Sequence, residues 1–139
     1  MSTRSWIGIK QKDQSLNLVY CHYDGYIEHN GLILENHYQS ADKIKRLIKN
    51  GSIRSLNKTV ESTDYFIDEN DIIQYKSIDD LKQDMITNKN FIVIEYFYYF
   101  DEEVNTWFVG EIDYDSDFNA KQAIFKPLKD VINTLNLSE

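Results

Sequence analysis

The sequence predicts an α+β fold, an antiparallel β-sheet covered by about four helices, as a single domain over 1–139. Three observations carry this. Two segments near the start alternate apolar and polar residues around a turn, as the strands of a hairpin do. The longest apolar run, 91–100, is followed by an acidic turn and a second alternating segment, 104–112. Elsewhere apolar residues recur three and four positions apart, which is the period of a helix face. A chain of 139 residues can bury roughly two-thirds of its unfolded surface. With 42% apolar residues, 14% aromatics, one Pro and five Gly, it is not a disordered acidic tail.

In order along the chain, residues 5–10 and 16–23 form the hairpin, joined by the turn-like Lys12-Asp13-Gln14-Ser15. Ile7 and Ile9 share a face of the first strand. Leu16, Leu18, Tyr20 and His22 share one face of the second, and Val19, Cys21 and Tyr23 take the other. A short helix is predicted over 30–38. A second begins at Ser40, carries the stripe Ile44, Leu47 and Ile48, and stops at Asn50-Gly51. Short strands are predicted at 65–67 and 72–75. Ser77 and Asp80 resemble a capping box for a helix that buries Ile78, Leu81 and Met85. Strand 91–100 is apolar on both faces: Ile92, Ile94, Tyr96, Tyr98 and Phe100 on one, Phe91, Val93, Phe97 and Tyr99 on the other. In 104–112, Val104, Thr106, Phe108 and Ile112 are predicted to point inward. Pro127 suits the first turn of a last helix, with Leu128, Val131, Ile132 and Leu135 as its stripe.

Charge is distributed unevenly. Residues 61–118 hold sixteen Asp/Glu against three Lys, a local net charge of −13, and ten of the nineteen aromatics fall between 91 and 118. Residues 1–60 carry nine Lys/Arg against five acids, and the whole chain is −8. A pI near 4.8 argues against direct binding of DNA or RNA, whose phosphates need cations. Acid mixed with large aromatics instead points to a basic protein surface as partner, with a solubilising rim as the plainer alternative. The residues predicted for that contact are Asp101, Glu102, Glu103, Trp107, Glu111, Asp113 and Asp115.

Other chemistry is poorly represented. Cys21 and His22 are strand neighbours and point to opposite faces, so they form no dyad with each other. No nucleophile motif, Gly-rich phosphate loop or zinc spacing occurs. Asp113-x-Asp115-x-Asp117 opens like a calcium loop, but Phe118 stands where the Gly belongs and Ile124 where the Glu belongs. No catalytic residue, cofactor or metal is therefore predicted. The single Cys fits a reducing cytoplasm. No stretch is long enough to span a bilayer as a helix, and no secretory signal is predicted.

Several blocks carry a resemblance: Thr3-Arg4-Ser5-Trp6-Ile7-Gly8, Tyr20-Cys21-His22-Tyr23-Asp24-Gly25-Tyr26, Leu34-Glu35-Asn36-His37-Tyr38, the helix 41–49, and Gly51-Ser52-Ile53-Arg54-Ser55-Leu56. Through them residues 2–56 resemble small phage- and prophage-encoded proteins of largely unassigned function, which usually have Pro where Ile27 stands. The resemblance implies a mobile-element origin and a bacterial host cytoplasm. Joined to the acidic segment, it leads to the expectation of a non-enzymatic, anti-CRISPR-like inhibitor. Such a protein would bind a basic nuclease or nucleic-acid-binding effector of a host defence system. A second expectation is a binder of a nucleotide immune signal, held by Arg4, His22, Tyr26, Lys43 and Arg46. A third, an enzyme acting on a host component, has no convincing catalytic set behind it.

Overall fold

The computed structural model describes residues 2–68, 70–88 and 93–139. Phe91 and Ile92, the start of the predicted strand 91–100, lie outside the described residues. The fold is α+β, as predicted. Eight described strands make one sheet: β1 (Arg4–Lys10), β2 (Leu16–Cys21), β3 (Ile53–Ser55), β4 (Asp64–Tyr65), β5 (Ile73–Tyr75), β6 (Ile94–Asp101), β7 (Thr106–Tyr114) and β8 (Ala120–Pro127). The order is β4-β3-β2-β1-β6-β7-β8, with β5 also pairing β2. Most neighbours are antiparallel, but β1 runs parallel to β6, and β2 to β3. The first of these joins the N-terminal hairpin to the aromatic strand across some ninety residues of chain, a pairing that no local pattern signals.

Both faces of the sheet are covered. On one, α1 (Leu32–His37), α2 (Ala41–Lys49) and α4 (Leu128–Thr134) bury Ile7, Ile9, Val19, Tyr98, Phe100, Trp107 and Val109. On the other, α3 (Ile78–Thr87) packs Leu81 and Met85 against Trp6, Leu16, Leu18, Phe97 and Tyr99. The central strands are thus buried on both sides, which is why 94–100 tolerates aromatics at consecutive positions. The hairpin faces fall as the alternation predicts. So do the caps: Ser40 Oγ accepts from Lys43 N, Ser77 Oγ accepts from Asp80 N, and Gly51 takes φ 83° after α2.

Four local details differ from the sequence reading. The helix predicted over 30–38 begins earlier, with a π-helical turn at Ile27–Gly31 ahead of α1. The register slips between Arg4 and Ser5, so that Arg4 pairs Ile94 but Ser5 pairs Tyr96. This bulge at Glu95 breaks the alternation and sends Ile94 to the α3 side, away from Tyr96 and Tyr98. In β7 the buried side chains are those of Trp107 and Val109, while Val104 sits exposed in the preceding turn. Finally, β3 is not predicted, and neither is β8. The β8 sequence, AKQAIFKP, is polar and unpatterned, and its strand form follows from pairing along β7.

Candidate functional site

Trp107, Val109, Glu111 and Asp113 share one face of β7, because strand side chains alternate. Trp107 and Val109 lie beneath the helices. Glu111 and Asp113 continue the same face past α4, where no helix closes over them. On β8 the partner of Glu111 is Ile124, and that of Val109 is Lys126, so these also face the uncovered region. The result is a cleft of about 450 Å³. Tyr96, Ile124, Ile27 and Leu135 give it apolar walls, and Glu28, Glu111 and Asp113 its acidic rim. Glu28 comes from the π-helical turn in the basic half of the chain.

The cleft is predominantly acidic, with Lys126 in its lining and Lys121 Nζ 3.9 Å from Asp113 Oδ2. Burial raises the Tyr96 phenol above its ordinary value, and Glu111, Glu28 and Glu95 raise it further. Desolvation also pushes the Glu111 carboxyl up, opposed by Lys126, although Glu111 keeps more than a third of its surface in water. None of Glu28, Glu95 and Glu111 makes an ion pair among the described residues. A raised folded-state carboxyl opposes folding above its unfolded value, so the Glu111 charge destabilises the protein at neutral pH. Glu111→Gln is therefore expected to raise the melting temperature at pH 7. That gain should shrink as the pH falls below the ordinary carboxylate range. A pH series of melting curves checks it, and a lower melting temperature for the variant at pH 7 would contradict it.

The predicted contact residues do not form one patch. Asp101, Glu102 and Glu103 turn the chain at the opposite end of the β6–β7 ribbon. From Thr106 to Asp113 is seven residues, or about 23 Å of strand. There the acids meet cations from the basic half: Lys10 pairs Asp101 at 3.3 Å, and Lys45 pairs Glu102 at 3.1 Å. Asp101 is buried and also accepts from Glu103 N at 3.0 Å, so it is a turn-fixing residue. Trp107, expected at the surface, is 1% exposed, its ring edge-on to Phe100 and its Nε1 donating to Tyr38 O at 2.8 Å. Asp115 Oδ1 accepts from Asp117 N and Asn119 N, closing the β7–β8 turn in which Phe118 takes φ 61°. Of the seven, only Glu111 and Asp113 line the cleft. Glu28 and Tyr96 join them, and only a long-range pattern could have identified Glu28, since nothing in its own neighbourhood distinguishes it.

The nucleotide-binding set disperses. Arg4 Nε donates to Tyr20 OH at 3.1 Å, and that oxygen lies 2.7 Å from His22 Nδ1, so Tyr20 bridges these two. Tyr26 instead donates to Asp24. Lys43 donates to the carbonyls of His37 and Lys58 and stands 4.2 Å over the Tyr38 ring, while Arg46 pairs Glu61 at 2.9 Å. His22 itself lies within hydrogen-bond reach of Tyr20 OH and Ser2 Oγ.

No family model, curated protein or solved structure matches this chain. Cys21, Asn30 and His29 are hydrogen-bonded in succession, with Asn30 Nδ2 3.3 Å from the sulfur and Asn30 Oδ1 2.9 Å from His29 Nδ1. The thiol touches the amide rather than the imidazole, is fully buried, and is pushed up by burial to about 11. Such a thiol packs as a small core residue and is a poor nucleophile. Among the described residues no group of three or more His, Cys, Asp or Glu could hold a metal ion. No described helix is long and apolar enough to cross a membrane.

Proposed function

We propose that the protein is a non-enzymatic inhibitor whose acidic cleft binds a basic, nucleic-acid-binding surface of a bacterial defence protein, as an anti-CRISPR-like protein would. The observation behind this is the set of three carboxylates that make no ion pair among the described residues, Glu28, Glu95 and Glu111, around Tyr96; Glu28 and Glu111 line the apolar-walled cleft and Glu95 a smaller cavity beside it. Carboxylates without an ion pair, one of them held at a cost in stability that Lys126 only partly offsets, favour a partner that supplies further cations. The apolar walls add the desolvated contact that charge alone does not provide. The phage setting and the host cytoplasm come from the resemblance of residues 2–56. The cleft is a narrower surface than the whole acidic segment, because Asp101 and Glu102 are already paired with Lys10 and Lys45.

The test is a paired charge reversal. Truncating one partner of a buried charge pair costs about 2–5 kcal/mol, or more than about thirty-fold in affinity. Glu111→Lys with Asp113→Lys is expected to abolish capture of a basic nuclease from phage-challenged host extract and to relieve inhibition of its cleavage. Glu103→Lys, at the far end of the ribbon, should leave both intact. Capture by the wild type should weaken as salt is raised. Undiminished binding and inhibition by the cleft variant would refute the reading.

A further inference from the structure

The cleft at Tyr96 is continuous with an opening in the sheet. The β6–β7 register ends at Phe97↔Gly110, while β6 continues beside β1 to Ile94 and β7 continues beside β8 to Tyr114. The two strands part there. Ile94, Glu95 and Tyr96 face Glu111, Ile112 and Tyr114 across a gap of about 210 Å³. Tyr96, Glu111 and Ile112 line both the gap and the larger cleft. This makes a groove with an aromatic ring at its centre, carboxylates on several sides and aliphatic walls at Ile124 and Leu135, which are 37% and 51% exposed.

Those features together suit a cation carried on a long aliphatic stem. The ring face attracts the charge, the carboxylates accept its hydrogen bonds, and the walls take the methylenes. Carboxylates spread around a ring match a planar, multi-donor guanidinium better than a compact ammonium. We propose that the groove seats an arginine side chain presented by an extended segment of the partner, its guanidinium beside Tyr96 among Glu28, Glu95 and Glu111. Charge complementarity selects this occupant: Glu28, Glu95 and Glu111 make no ion pair among the described residues, while Asp113 is paired with Lys121 at 3.9 Å and Lys126 is the cation lining the cleft. The inference rests on the reading above that the partner is basic, and it specifies which chemistry enters the groove.

The probe is the peptide acetyl-Ala-Arg-Ala-Arg-Ala-amide, titrated into the full isotope-labelled chain and followed by amide chemical shifts. The lysine and glutamate counterparts of the peptide serve as comparisons. Saturable shifts centred on Tyr96, Glu111, Ile112 and Ile124 are expected, tighter for arginine than for lysine and absent for glutamate. Glu28→Gln, at an exposed position outside the sheet, should weaken the arginine peptide several-fold. Glu28→Gln combined with Glu111→Gln should weaken it at least tenfold, with the amide spectrum otherwise retained. Shifts scattered equally over Glu61, Asp79, Asp117 and other surface acids would overturn the proposal, as would failure to saturate at millimolar arginine peptide. If the peptide misses the groove but the Glu111→Lys, Asp113→Lys variant still loses the nuclease, the arginine assignment falls and the inhibitory function stands. If the peptide saturates the groove and no nuclease is bound, the arginine site stands and the inhibitory function falls.

Discussion

Replacing Trp107 with alanine is expected to remove about 4–5 kcal/mol of stability, a large share of the 5–15 kcal/mol that holds a domain of this kind together. Two effects add. The indole is 1% exposed and packs edge-on to Phe100 in the cluster with Tyr98, Val109 and Leu128, so its loss leaves a cavity that the sheet and three helices cannot close. It also removes the donor to Tyr38 O, a carbonyl at the C-terminal end of α1. An orphaned buried acceptor costs about 1–3 kcal/mol. Trp107→Phe weighs one against the other, since it keeps a six-membered ring in the site while it loses the N–H donor and the volume of the five-membered ring. It should cost roughly half as much. Urea unfolding gives the comparison, with the midpoint falling and the slope unchanged. A Trp107→Ala variant within about 1 kcal/mol of wild type would mean that the indole is not buried, and would restore it to the surface patch.

The misplacement of Trp107 shows where the sequence stops being informative. In Trp107-Phe108 two large aromatics stand side by side on a strand, so alternation says that they face opposite ways but not which side is core. Here both sides are core, because α3 covers one and the other helices cover the other. The helices α2 and α3 were legible because their signals are local: a capping Ser, a stripe of three or four apolar residues and, for α2, a terminal Gly. The strand β8 was illegible because Ile124 and Phe125 put an apolar residue on each face and lysines interrupt both. The cleft divides along the same line. Glu111 and Asp113 were visible as acids beside an aromatic strand, but Glu28 reaches them only through the packing of the π-helical turn on α4. Likewise, the pairing of Lys10 and Lys45 with Asp101 and Glu102 depends on the parallel β1–β6 contact and on the seat of α2, neither of which is local.

Gly8→Ala is expected to cost about 3 kcal/mol or more, and to cost more than Gly110→Ala although both residues are buried strand glycines. The difference lies in what each new methyl would meet. At Gly8 a Cβ would lie 2.1 Å from Asn17 O and 2.7 Å from Leu18 Cα, both backbone atoms of the neighbouring strand. Gly8 is held on both sides, paired with Leu18 on β2 and Tyr99 on β6, so relief requires the hairpin to separate or the central sheet to shift. At Gly110 the clash is with the Phe125 ring, 2.3 Å away, at the far end of a side chain that can rotate. Phe125 is half-buried near the edge of the sheet, so its rotation disturbs α3 and the cleft strands without breaking a ladder. Thermal or urea unfolding of the two variants reads the ranking directly. Equal losses would mean that β1 and β2 are less closely held than the Gly8 contacts imply. A larger loss at Gly110 would mean that the Phe125 ring, which helps pin β8 beneath the cleft, matters more to the fold than the central hairpin.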